Sequence, residues 1–163
     1  MVKIIDLTKG YLGLVDASDY ELVVQWKWSF SGGYIRRQCK GQTFSLHRQI
    51  LGLLHTLEVH VDHINGDGLD NRRENLRVCT PSQNMANRGL YAHNKTGFKG
   101  VCVDRRSNQV KYRATIHHKN KYIALGRFNT AEEAAHAYDV AALKLFGEFA
   151  NVNIERGLKR DSK

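Results

Sequence analysis

The sequence predicts an α+β protein of two small units, and three observations point there. Strand-like runs at residues 58–62 and 77–80 lead into a helix that starts at Pro81, a β-β-α order. Three further runs, at 98–105, 111–118 and 121–128, precede one helix over 130–147, which reads as a three-stranded antiparallel sheet packed on a helix. Between the two sets, the stretch MANRGLYAHNKTG at 85–97 is polar and punctuated by glycine, as a boundary should be. The expected domains are 1–90 and 97–153, joined by a linker at 91–96 and followed by a charged tail at 154–163.

The elements follow in order. Residues 2–7 are strand-like and Gly10 breaks them. Residues 20–30 are rich in β-branched and aromatic side chains, so they read as a strand with Trp26 and Trp28 on one face, in the core. Gly32 and Gly33 then form a hairpin turn into residues 34–37. Leu46, Ile50, Leu51, Leu53 and Leu54 make a helical stripe over 45–54, on which His47 and His55 are packing or boundary histidines. Residues 58–62 alternate as a strand and place His60 on the same face as Asp62. Thr80 is the expected cap before Pro81, with Asn84 in the first helical turn. In the second unit, Lys119-Asn120 reads as a tight turn and residues 107–109 as a looser one. Tyr112, Ala114 and Ile116 alternate with Lys111, Arg113, Thr115 and His117, leaving one sheet face basic. Thr130 to Glu133 is a capping box, and Ala131, Ala134, Ala135, Tyr138, Ala141, Ala142 and Leu145 form a stripe that can lie close to the sheet.

Charge is uneven along this chain of net charge +9. Lys plus Arg against Asp plus Glu runs 11 to 9 over residues 1–90 and 14 to 7 over 91–163. Nine cations between residues 95 and 127 face one acid, Asp104, which is the balance expected of a surface that neutralises phosphates. No run is long and apolar enough to span a membrane and no secretory signal opens the chain, so a cytoplasmic protein is expected. Cys39, Cys79 and Cys102 are widely spaced and odd in number, which argues against disulfides and against a structural zinc.

The chemistry is concentrated in VDHINGDGLDNRRENLRVCTPSQN at 61–84. An Asp beside a His, with one Asn twelve and another twenty-one residues beyond that His, suits a site for one hard cation. A carboxylate and an amide oxygen are magnesium-type ligands, and an imidazole can take a proton near neutral pH. Each residue alone has an ordinary reading, as a surface pair or a turn former; together the spacing favours a nuclease. Asn65, Asp67 and Asp70 do not make a calcium loop, because Leu69 takes the third ligand place and no Glu closes the pattern.

This run resembles the HNH endonucleases, in the subgroup where the last His is replaced by Asn, common among phage and intron-encoded homing endonucleases. Leu46-His47-Arg48 and the loop at 66–77 match the same pattern. The resemblance implies a ββα-metal fold, His63 as general base, Asp62 and Asn84 as ligands of one Mg2+ or Mn2+, and Asn75 as the residue that braces the loop and orients His63. Asp67 and Asp70 match loop positions without chemistry. Arg72 and Arg73 are positioned to touch phosphates, although a solvated loop is the plainer role.

The second half resembles the Apetala-type, or ethylene-response-factor, DNA-binding domain, also found attached to phage HNH endonucleases. The matching residues include Gly97 to Val101, Tyr112 to Ile116, Leu125 to Phe128, Thr130 to Ala135, Phe146-Gly147 and Asn151 to Asn153. The resemblance implies a sheet laid into the major groove of double-stranded DNA. Expected DNA contacts are Lys99, Arg105, Arg106, Lys111, Arg113, His117, Lys119, Lys121 and Arg127. Cys102, His117 and Ala124 depart from the family's base-reading pattern, so its sequence preference does not transfer. The expectation is a metal-dependent endonuclease that works as a monomer or a DNA-induced dimer and leaves a 5′-phosphate and a 3′-hydroxyl. The alternatives are a DNA-binding regulator with an inert nuclease motif, and an RNA-binding or structural protein.

Overall fold

The structure, a computed structural model, describes residues 1–56, 58–106 and 110–154. The turn expected at 107–109 and the tail beyond residue 155 lie outside the described residues. The chain divides into two compact units, Met1–Pro81 and Ser82–Lys163, with mixed helices and several small antiparallel sheets.

In the first unit, β1 (Val2–Asp6) and β2 (Leu12–Asp16) form a hairpin, closed at Lys9 and Gly10 in left-handed conformations. The expected strand from Tyr20 is instead largely α1 (Ala17–Val24), with only β3 (Ser29–Ser31) extended. Tertiary packing overrides β-propensity here: Val23 is fully buried, and the Trp28 indole N–H donates to the Val23 carbonyl at 2.9 Å, satisfying the end of the helix. The two tryptophans therefore part. Trp28 enters the core, while Trp26 stays exposed beneath the Arg37 guanidinium, 4.2 Å from its ring centroid. The Gly32-Gly33 turn joins β3 to β4 (Tyr34–Cys39), with both glycines at positive φ, and β5 (Gln42–Ser45) completes a sheet ordered β3-β4-β5.

α2 (Leu46–Ile50) is shorter than its apolar stripe suggests. Gly52 adopts φ +70° and Leu53 N–H closes back on the Arg48 carbonyl, which ends the helix. The Arg48 side chain then binds the carbonyls of Leu53, Thr56 and Val59 and holds the following loop. β6 (His60–His63) pairs antiparallel with β7 (Leu76–Cys79), aligning Asp62 with Arg77 and His63 with Leu76. Beneath them Leu46, Ile50, Val61 and Leu76 join Ile5, Val15, Val23, Trp28 and Ile35 in one core.

The second unit holds most of α3 (Pro81–Asn87), which the sequence reading assigns to the first domain. The reason is packing: Ala86 is buried with Ile116, Tyr138, Ala142 and Phe146, and Asn151 bonds the carbonyls of Ala86 and Asn87. β8 (Val101–Asp104), β9 (Lys111–His118) and β10 (Lys121–Phe128) form an antiparallel sheet ordered β10-β9-β8. Lys119 and Asn120 both take positive φ in the β9–β10 turn. α4 (Ala131–Phe146) starts with the capping box of Thr130 and Glu133 and buries Ala134, Ala135, Tyr138 and Ala142. Val101 and Ala114 of the sheet share a core cluster with Ala134 and Ala135. The small side chains permit close approach: a Cβ at Gly100 would lie 1.9 Å from the Tyr138 ring.

Candidate active site and nucleic-acid interface

His63 stands at the end of β6, buried at 4 % exposure, and its Nε2 lies 3.3 Å from Oδ1 of Asn71. Asn71 is fully buried, and its Nδ2 donates to the Gly68 carbonyl at 3.0 Å. That second bond fixes which end of the amide faces the histidine. Oδ1 can only accept, so in this contact the histidine donates from Nε2. Burial lowers the His63 pKa from its ordinary value, against the opposing pull of Asn71 and of the Asp62, Asp67 and Asp70 carboxylates.

Asn71 is held in place by backbone. Its N–H donates to the Leu14 carbonyl and Leu14 N–H donates to Leu69, so the loop is stitched along β2. Gly68 lies so close to the β3–β4 turn that a Cβ there would fall 1.9 Å from the Gly33 carbonyl oxygen. Asn75 braces the same loop from the other end. Its side chain exchanges bonds with Asn65, donating to Oδ1 and accepting from the backbone N–H, and it also donates to the Asp70 carbonyl. The amide that reaches the His63 ring is thus Asn71, a residue the sequence reading left unassigned. No spacing rule separates Asn71 from its neighbours; the signal lies in its burial.

Asp62 is 5 % exposed, and its Oδ2 accepts from Arg77 at 3.1 Å and 2.9 Å, across the β6–β7 pair. Its hard oxygens suit a magnesium-type ion. Asn84 lies on α3, most of which belongs to the second unit. No group of three or more His, Cys, Asp and Glu gathers among the described residues.

Two other residues border His63. The His47 ring centroid is 5.2 Å from that of His63, and Tyr34 lies 5.3 Å from His47 and 5.8 Å from His63. His47 is buried, but it is not the satisfied histidine the sequence suggests: its Nδ1 has no hydrogen-bond partner. Burial first, then the proximity of His63, Arg48 and Arg36, lowers its pKa to about 3. His55 and His60 stand apart from these contacts, His55 exposed and His60 half-buried. Arg72 is paired with Asp70 and Glu74, and Arg73 with Asp19. The Asp70 carboxyl is held below its usual pKa chiefly by the Arg72 hydrogen bond. The three cysteines are free thiols, and burial pushes Cys79 up to about 11, so it remains protonated.

On the second unit, β9 turns Ala114 and Ile116 into the core and leaves Arg113 exposed, with Thr115 and His117 half-buried. Register partners complete the outer face: Cys102 and Arg127 flank Arg113, and Tyr122 pairs with His117. Tyr122 is 82 % exposed, with its ring 4.9 Å from His117, and the sequence reading did not single it out. Its signal was the register across the β9–β10 turn. Asp104, the lone acid of the basic stretch, accepts from both Arg106 and Arg127, and these contacts hold its pKa well below the usual carboxylate range. Lys111 bonds the side chain of Asn129. Arg105 and Lys121 are exposed, and Lys119 sits at the exposed turn. Lys99 differs from the rest: its ammonium bonds the carbonyls of Ala86 and Arg88 at the end of α3.

Comparison with known proteins agrees with both halves. The HNH endonuclease family pattern matches residues 57–86, and the AP2 domain pattern matches residues 96–148. A relative named "Uncharacterized HNH endonuclease L560" from Acanthamoeba polyphaga mimivirus is 31 % identical over 150 residues, covering 89 % of this chain and 76 % of the relative. The Arabidopsis thaliana protein named "Ethylene-responsive transcription factor ERF069" is 36 % identical over 107 residues, 61 % of this chain and 62 % of its own length. HNH nucleases are generally metal-dependent. The chain belongs to the HNH endonuclease family and joins its nuclease motif to an AP2-type DNA-binding domain.

Proposed function

We propose that the protein is a divalent-metal-dependent endonuclease that hydrolyses one phosphodiester bond of double-stranded DNA while its AP2-type sheet holds the duplex. The observation that carries this reading is the His63–Asn71 bond beside Asp62, in which the histidine donates from Nε2. His63 takes the proton of the attacking water; burial lowers its pKa and so favours the base form. By the family resemblance Asp62 and Asn84 would hold the ion, which would supply electrostatic stabilisation of charge on the scissile phosphate and the leaving oxygen. Arg77 orients the Asp62 carboxylate, and Asn75 fixes the loop that carries Asn71. One motif per chain makes nicking the expected outcome for a monomer, with double-strand cleavage left to a DNA-induced dimer.

Arg113, Arg127, His117, Lys111, Lys121, Lys119, Arg105 and Arg106 would supply the sheet's contacts to DNA. Arg113 is the leading candidate, being exposed between register partners. The test is incubation of supercoiled plasmid with the protein in magnesium and in EDTA. Nicked circles with 5′-phosphate ends in magnesium alone are expected; equal nicking in EDTA contradicts the metal dependence. The transcription-factor relative favours a second reading, a DNA-binding regulator, which would bind DNA tightly in either buffer and cut in neither.

A further inference from the structure

The near-neutral total charge of the first unit hides one unused arginine. Of its six arginines, Arg72, Arg73 and Arg77 are paired with Asp70, Asp19 and Asp62, Arg48 binds three carbonyls, and Arg37 bonds Gln49 and stacks on Trp26. Among the described residues Arg36 has no ion pair, and its Nε is buried without an acceptor. A buried guanidinium N–H left in that state is costly unless a ligand completes it. The Arg36 Cζ lies 5.4 Å from the centroid of the Tyr34 ring, the same ring that touches His63.

A second observation is the cleft that Arg36 lines. It measures about 350 Å³ and brings together Lys27, Arg36 and Arg37 with the hydroxyl side chains of Ser29, Ser31 and Thr43. None of the residues that line it is acidic. Cations and hydroxyl donors without a competing carboxylate recognise a phosphate, and a guanidinium presents its N–H groups as a fork suited to two of its oxygens.

Resting on the nuclease reading, we propose that this cleft on β3 and β4 is a phosphate subsite of the first unit, in which Arg36 binds a DNA-backbone phosphate near the one that is cut. The first unit then grips DNA by itself, and Arg36 takes the place that Arg72 and Arg73 give up to their carboxylates.

The test uses the full chain carrying His63→Ala, so that binding is read without cutting, and a fluorescent duplex titrated over a range of salt. Adding Arg36→Ala should reduce the steepness of log K against log salt by about 0.9, the value of one lost phosphate contact, whereas Arg36→Lys should keep it. Ser31→Asp places a competing carboxylate at the exposed edge of the cleft and should weaken binding in the same way; it decides the matter if Arg36→Ala fails to fold. An unchanged slope in both variants overturns the subsite. Plasmid cutting by the parent chain is scored separately: cutting with an unchanged slope removes only the subsite, and a lowered slope without cutting removes only the nuclease reading.

Discussion

Asn71 Oδ1 stands 3.3 Å from His63 Nε2, while Asn71 Nδ2 is committed to the Gly68 carbonyl, so the buried amide accepts from the proposed general base. Replacing Asn71 by Ala should lower the cleavage rate by about 10- to 100-fold, the range found when a residue that orients an active-site ligand is removed. Single-turnover rates at saturating magnesium measure this. Asn75→Ala should act mainly by loosening the loop, lowering thermal stability along with rate, since its bonds go to Asn65 and Asp70.

His47 makes stability depend on pH. Its folded pKa of about 3 lies below the ordinary 6.5, so the unfolded chain binds a proton that the native state refuses between those values. The associated stability is fully present above pH 6.5 and is lost as pH falls towards 3. From pH 7 to pH 5 the loss from this group is about 2 kcal/mol. Urea unfolding at the two pH values should show that difference between the parent and His47→Phe, which keeps a ring against Tyr34 and His63.

Gly68 offers a packing test. A methyl group there meets the Gly33 carbonyl oxygen at 1.9 Å, so Gly68→Ala should cost about 1–3 kcal/mol and slow cleavage by displacing the Asn71 loop. Gly89, where an added Cβ meets nothing within 4 Å, is the control and should tolerate Ala in a thermal melt.

Two lysine and arginine positions that look alike in sequence should separate on salt titration. Arg113→Ala, on the exposed face of β9, should flatten the salt dependence of DNA binding by about 0.9 units of slope. Lys99→Met should leave the slope unchanged and lower the melting temperature, because the Lys99 ammonium closes the end of α3.

The strands at 111–118 and 121–128, the Lys119-Asn120 turn, the Thr130–Glu133 capping box and the Gly32-Gly33 hairpin were legible in the sequence because local chemistry decides them. The helix over 17–24 was not, since the β-branched and aromatic content of residues 20–30 argues for a strand and only the burial of Val23 and the Trp28 bond select a helix. β2 and β5 were missed as short segments whose partners, β1 and β4, define them. Of the candidate site, Asp62, His63, Asn75 and Asn84 stand out by spacing, whereas the contacts of Asn71, Arg77 and Tyr34 arise through burial, strand register and ring packing that no linear pattern carries.

The proposed function turns on His63 as the base for phosphodiester cleavage. It is tested by single-turnover nicking of supercoiled plasmid in magnesium with the parent chain and His63→Ala, each with and without added imidazole. The variant is expected to lose activity by about 100-fold or more, in line with removal of a general base, and imidazole to restore part of it. Nicking at the parent rate by His63→Ala would contradict it.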